Sequence, residues 1–114
     1  MNEKKILSLL GIAKKAGKTV IGTDMTVQSI RKRSDSVKLI LAASDSSKNT
    51  VKRISNTAQY YEVDLITLMA DRIALGQLLG HSAEVSVVGI TDIGFADAMK
   101  KAAEKEINGA DQVK

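Results

Sequence analysis

The chain has 114 residues, is 44% hydrophobic, and contains neither Cys nor Pro. That bounds it to a single domain with one ordinary core and excludes a disulfide framework or a thiolate metal site. Its 17 Lys+Arg against 13 Asp+Glu give a net charge of +4, and no apolar run approaches the roughly 20 residues of a membrane span.

The elements follow in chain order. Leu7, Leu10, Ala13 and Ala16 recur at helical spacing, with Ile6 and Leu9 beside them and Lys4, Lys5, Lys14 and Lys15 off the stripe. This predicts a first amphipathic helix with Gly17 as its C-cap. Met1 to Lys5 leads straight into that helix without the apolar core of a signal peptide, and together with the missing Cys this fits a cytoplasmic location. Thr19 to Ile21 reads as a short strand. A second helix is expected from Thr23 to about Lys32, burying Val27 and Ile30. Val37 to Ala43 is nearly continuous apolar sequence, as in a strand covered on both faces. Ser44-Asp45-Ser46-Ser47 supplies turn and N-cap chemistry. A helix from about Lys48 to Tyr61, a strand from Leu65 to Met69, and a short helix capped by Asp71 and ending near Gly80 come next. A strand from Val85 to Ile90 precedes a final helix capped by Asp92, running from Gly94 to about Ile107, after which the last residues are expected to fray. Helices alternating with apolar strands predict an α/β protein, a three-layer α/β/α sandwich around a four-stranded sheet of mixed direction.

Charge is distributed unevenly. Residues 1–57 hold 12 Lys+Arg and 4 Asp+Glu, whereas residues 58–114 hold 5 and 9. A polyanion partner and a set of solvated helix faces both account for that asymmetry. The densest stretch, Lys14 to Arg33, sets basic residues on both sides of Gly22-Thr23-Asp24, where the second helix begins. Backbone N–H groups at a helix start, placed among cations, suit phosphate and polar base edges.

Other chemistry finds little support. Gly17-Lys18-Thr19 resembles the end of a phosphate-binding P-loop, but the required earlier Gly falls on Ile12, and the segment follows a helix instead of a strand. His81 is the only His and sits in a Gly-His-Ser-Ala loop, where it is expected to be exposed; no metal-ligand spacing stands out. Ser44, Asp45 and His81 lack the elbow motif of a hydrolase. No catalytic residue, metal, cofactor or small-molecule substrate is expected. Tyr60, Tyr61 and Phe95 are the whole aromatic complement, and their places at helix ends suggest core packing. A nucleic-acid binder so poor in aromatics would read a preformed RNA shape through a helix end, backbone groups and basic side chains.

Several segments together resemble one family. Gly22-Thr23-Asp24-Met25-Thr26-Val27-Gln28 is similar to the loop–helix signature of the kink-turn RNA-binding proteins, which include the ribosomal proteins L-seven-Ae and L-thirty-e. Leu39 to Asp45 resembles the family's second strand and acidic turn. Ala74-Leu75-Gly76 and Gly80 match its A-L-G and following Gly. Gly89 to Ala96 is similar to the ending of the bacterial YlxQ-like branch. The resemblance spans roughly residues 4–103 and implies the same sandwich fold, a non-enzymatic protein, and a structured RNA partner, such as a ribosomal kink-turn, in a ribonucleoprotein.

The resemblance also implies a site. A kink-turn is a bent duplex with sheared G·A pairs, whose bend opens base edges that regular A-form RNA hides. The family signature is usually Gly-Thr-Asn-Glu followed three positions later by Lys; here those last three positions are Asp24, Met25 and Gln28. Met25 cannot accept from guanine N–H groups and Gln28 carries no charge. Either Asp24, with Gly22, Thr23 and their backbone, accepts the guanine donors, or the loop reads a different RNA; Asp24 as a simple helix-start stabiliser is the plainer reading. By the same carry-over Lys15 and Lys18 would meet phosphates, and Arg31 and Lys32 continue the reading helix. Ser47, Val51 and Arg72 would border the bulged base, with core packing the other reading of Val51. Ser82, Ala83, Glu84 and Val85 would lean over the bulge. An RNA ligand predicts that Lys15, Lys18, Arg31, Lys32 and Arg72 form one continuous patch around Gly22–Met25. The rival reading is a protein-interaction module on the same fold.

Overall fold

The computed structural model describes the backbone of residues 1–113 and the side chains of residues 1–104. Five helices and four strands alternate: α1 (Glu3–Lys15), β1 (Thr19–Ile21), α2 (Thr23–Lys32), β2 (Leu39–Ala42), α3 (Lys48–Tyr61), β3 (Asp64–Thr67), α4 (Arg72–Leu78), β4 (Val87–Ile90) and α5 (Ile93–Val113). The strands form one sheet in the order β1-β4-β2-β3, with β2 and β3 parallel and the other two pairings antiparallel.

Strand periodicity sorts the two faces. Leu39 and Leu41 of β2 and Val88 and Ile90 of β4 join Ile6 and Leu10 of α1, Leu75 of α4 and Met99 of α5 in one core. Ile40 and Val87 point the other way and meet Val27 and Ile30 of α2 and Ile54 and Ala58 of α3. Three helices therefore cover one face and two cover the other, which is the expected α/β/α sandwich with a mixed sheet. Thr26, the buried polar residue of α2, donates its hydroxyl to the Val20 carbonyl at 3.3 Å. Its methyl lies about 3.1 Å from where a Cβ on Gly89 would be, so the first turn of α2 sits close against β4 because position 89 has no side chain.

Helix ends follow local chemistry. Gly17 adopts φ +72° just beyond α1, and the Lys18 and Gly17 amides donate to the Ala13 and Lys14 carbonyls at 2.9 and 3.1 Å, closing the helix. Asn2, Ser47, Asp71 and Asp92 each accept a backbone N–H with the side chain at the starts of α1, α3, α4 and α5.

Several boundaries differ from expectation. β3 ends at Thr67 instead of Met69, because the Glu3 carboxylate takes the amides of Met69 and Ala70 at 2.7 and 2.9 Å. Those amides leave the ladder, and Met69 is turned outward. β2 and β4 are shorter than the apolar runs that contain them; Val37, Ala43 and Val85 are buried beyond the ladder. α5 continues past Ile107 to Val113, so the backbone stays helical where fraying is expected, and only Lys114 lies outside the described backbone. No described helix is long and apolar enough to cross a membrane.

Candidate nucleic-acid interface

The C-terminal ends of β1, β2 and β3 and the start of β4 share one edge of the sandwich, as the strand register requires. Gly22 follows β1 there, with φ +106° and ψ 151°, a region open essentially to glycine. Its amide is anchored to the Val87 carbonyl at 2.8 Å, and its own carbonyl accepts from Thr26 N–H at 3.0 Å. The turn thus starts α2 directly off the sheet, without a side-chain cap. Among the described residues α2 is the helix that lacks one. The amides of Thr23, Asp24 and Met25 have no hydrogen-bond partner among the described residues. Three donors at the positive end of a helix therefore face outward.

Side chains surround this end. Thr23 is half-buried, while Asp24, Met25 and Gln28 are exposed. Met25 keeps 56% of its surface in solvent. The Asp24 carboxylate pairs with the guanidinium of Arg53, on α3. Asp24 is thus held across two helices, and this is more than stabilisation of its own helix. The partner, Arg53, was not among the residues expected here. Its only sequence signal is its place in the Lys48–Arg53 basic cluster, and nothing in the sequence says that α2 and α3 lie side by side.

The loop between α4 and β4 closes the other side. Gly22 to Met25 and His81, Glu84, Val85 and Ser86 line one cavity of about 390 Å³. Ser82 and Ala83 form the outer side of the loop, next to Ile73 and Gln77 of α4. The loop is pinned by Val85 N–H to the Arg72 carbonyl (3.1 Å) and His81 N–H to the Gly76 carbonyl (2.9 Å). A Cβ at Gly76 would stand 2.5 Å from the Ala83 carbonyl oxygen, so the loop approaches α4 as closely as backbone allows.

Arg72 is ion-paired on both sides. Its guanidinium lies between Asp45 (Nε to Oδ2, 3.3 Å) and Glu84 (Nη1 to Oε1, 3.5 Å). The Nε makes no well-aligned hydrogen bond despite that approach, so the contact with Asp45 is Coulombic. Desolvation works to raise the Asp45 carboxyl. The hydrogen bond from the Arg72 amide, at 2.8 Å, and the guanidinium outweigh it and hold Asp45 below the ordinary carboxylate range. Arg72 therefore ties the acidic turn after β2 to the 81–86 loop and is not an unpaired cation.

Ser47 caps α3 and is exposed, and Val51, one turn on, is half in solvent at 50%. Core packing of Val51 is thereby excluded. Tyr60 is also exposed, at 80%, against the expectation that it packs in the core. Tyr61 and Phe95 do pack partly against the two cores, and His81 is exposed as expected. Lys15, Lys18, Arg31 and Lys32 are exposed and, among the described residues, paired with no carboxylate. Lys18 precedes β1 and Gly22 follows it, roughly 13 Å away along the strand, and Arg31 lies roughly 10 Å down α2 from Asp24. The cations bracket the loop on two sides. No described cluster of His, Asp or Glu could hold a metal ion.

Known proteins agree with this architecture. Residues 4–100 match the model of the Ribosomal protein L7Ae/L30e/S12e/Gadd45 family. The RNA-binding protein YlxQ of Enterococcus faecium is 34% identical over 103 residues, covering 90% of this chain and 95% of its own. The RNA-binding protein YlxQ of Bacillus subtilis (strain 168) is 38% identical over 91 residues, covering 80% and 87%. Among solved structures, a protein of unknown function from Bacillus halodurans C superposes with a TM-score of 0.78 at 28% identity, over 86% of this chain and 95% of that one. The Giardia lamblia 15.5kD RNA binding protein shares the fold, with a TM-score of 0.75 at 14% identity over 90% and 85%. The chain belongs to the L7Ae/L30e/S12e/Gadd45 family, in its bacterial YlxQ branch.

Proposed function

We propose that this protein is a non-enzymatic, cytoplasmic binder of structured RNA that recognises a kink-turn or a related bent duplex, as part of a ribonucleoprotein such as the ribosome. The observation that carries this reading is the uncapped start of α2. Three free amides, the Thr23 hydroxyl and the Asp24 carboxylate stand together in a cavity roofed by the 81–86 loop. The names of the YlxQ relatives, given for RNA binding and not for a reaction, support it.

The chemistry is an exchange of partners. The bend presents guanine N–H donors, and Asp24 accepts them in place of Arg53. Giving up an exposed ion pair costs about 0.2–1 kcal/mol, whereas a hydrogen bond to a charged group contributes about 1.5–3 kcal/mol. The exchange is therefore favourable, and it frees Arg53 for a phosphate. The amides of α2 donate to base or phosphate oxygens. Met25 offers apolar contact to a sugar or base face, and Lys15, Lys18, Arg31 and Lys32 reach phosphates on the two arms of the bent duplex. Arg72 acts indirectly, by holding the loop. Titration with a simple kink-turn RNA and a control lacking its G·A pairs tests this reading. Tighter binding of the intact RNA is expected; equal affinity for both would remove the bent-duplex reading and favour a protein-interaction role.

A further inference from the structure

Between α2 and α3 runs a second groove, of about 540 Å³, lined by Val27, Arg31, Arg53, Asn56, Thr57, Tyr60 and Tyr61. Its composition departs from the rest of the molecule. Two of the three aromatic residues are here, and no acidic residue lines it. Tyr60 stands 80% exposed, its ring edge-on to Tyr61 with centroids 4.8 Å apart. Tyr61 is half-buried against the core, so it fixes the floor on which Tyr60 stands. Arg31 of α2 and Arg53 of α3 supply two guanidinium groups, and Asn56 and Thr57 of α3 line the groove with them, the Thr57 hydroxyl donating to the Arg53 carbonyl at 2.8 Å. The groove is also continuous with the α2 start, because Arg53 reaches both.

Resting on the RNA reading above, we propose that this groove takes single-stranded RNA leaving the bent duplex, a nucleotide or two in length. A base stacks on Tyr60, and Arg31 and Arg53 meet the flanking phosphates. Asn56 and Thr57 offer hydrogen bonds to base edges or the 2′-hydroxyl. An exposed aromatic beside cations is the arrangement that binds single strands with little sequence preference. Distance fits as well: from Asp24 to Arg31 is roughly 10 Å along α2, within reach of the strand that continues from the recognised step. A lone exposed tyrosine on a solvated helix would need neither the second arginine nor the concave setting.

The test compares a flush-ended kink-turn RNA with the same RNA carrying a four-uridine extension, placed on each strand at each stem end in turn. One placement should bind about fivefold tighter or more. That gain should vanish in Tyr60→Ala and survive in Tyr60→Phe, while both variants bind the flush RNA comparably; Arg31→Ala should lower the gain and also weaken binding of the flush RNA, since Arg31 meets phosphate in both. Circular dichroism checks that each is folded, and 5-iodouridine in the extension should cross-link to Tyr60. If the flush RNA binds but no extension adds affinity, or if the gain persists in Tyr60→Ala, the groove proposal is overturned and the bent-duplex reading stands. Failure of every RNA to bind overturns both. A protein cross-linked at Tyr60 where RNA is not would assign the groove to a protein partner and likewise overturn the proposal.

Discussion

Replacing Gly76 with Ala should destabilise the protein, while the same change at Gly11 should stabilise it. Both glycines are helical, and in each case alanine contributes up to about 1 kcal/mol of helix propensity. At Gly11 the new Cβ meets nothing within 4 Å, so the gain is kept. At Gly76 it would lie 2.5 Å from the Ala83 carbonyl oxygen, where ordinary contact begins at 3.4 Å, so roughly 0.9 Å of movement is required. α4 cannot give way, since Leu75 and Leu79 are buried on either side. The loop must move, straining the bonds from His81 to Gly76 and from Val85 to Arg72. Overpacking of this kind costs about 1–3 kcal/mol, and each weakened hydrogen bond about 0.5–1.5 kcal/mol. After the propensity gain, a net loss of about 1–5 kcal/mol remains for Gly76→Ala, against a gain of about 0.5–1 kcal/mol for Gly11→Ala. Urea denaturation of the two variants beside the parent measures both signs. RNA affinity of the folded Gly76→Ala protein should also fall, because the displaced loop roofs the α2 start. Equal or greater stability of Gly76→Ala would refute the claim that backbone contact sets the position of this loop.

The remaining predictions concern charge and recognition. Asp24→Asn, Met25→Glu and Gln28→Lys made together should raise the preference for intact over G·A-disrupted kink-turn RNA by roughly tenfold, with little change in stability since all three side chains are exposed; a folded triple variant with an unchanged ratio would remove this surface from the site. Lys18→Ala and Lys32→Ala should each reduce the slope of log K against log salt by up to about 1, whereas Arg72→Ala should weaken binding with a smaller change of slope, because its charge is already met by Asp45 and Glu84; equal slope changes in all three would contradict that distinction. The carboxyl of Asp45 is held low by Arg72, so its contribution to stability is complete above the ordinary Asp range, near pH 4, and is lost as pH falls through the depressed value. Arg72→Ala removes the guanidinium but keeps the amide at position 72, so the Asp45 carboxyl should titrate higher in the variant; an NMR titration that leaves it where it was would show that the guanidinium does not contribute.

Much of this protein is decided by neighbours in the chain. The stripe Ile6, Leu10, Ala13 makes α1, and Gly17 closes it because glycine enters the left-handed region without a Cβ clash. Ser47, Asp71 and Asp92 start their helices because a short oxygen-bearing side chain reaches an amide three residues on. The start of α2 at Gly22, the feature on which the functional reading rests, is equally local, and the family signature there could be read before any fold was known. The sheet order β1-β4-β2-β3 is not local. Two buried strands such as Leu39–Ala42 and Val87–Ile90 look alike in sequence whichever way they run, and only packing of helices on both faces chooses their direction. The site divides in the same way. Arg53 meets Asp24, Arg72 sits between Asp45 and Glu84, and Glu3 ends β3 by taking the amides of Met69 and Ala70. Each joins groups 12 to 67 residues apart. Val51 and Tyr60 carry the same apolar signal as core residues and are exposed only because α3 turns their face outward. A side chain's spacing along the chain fixes the face of its own helix or strand, but which other element meets that face depends on how whole layers bury their apolar surface.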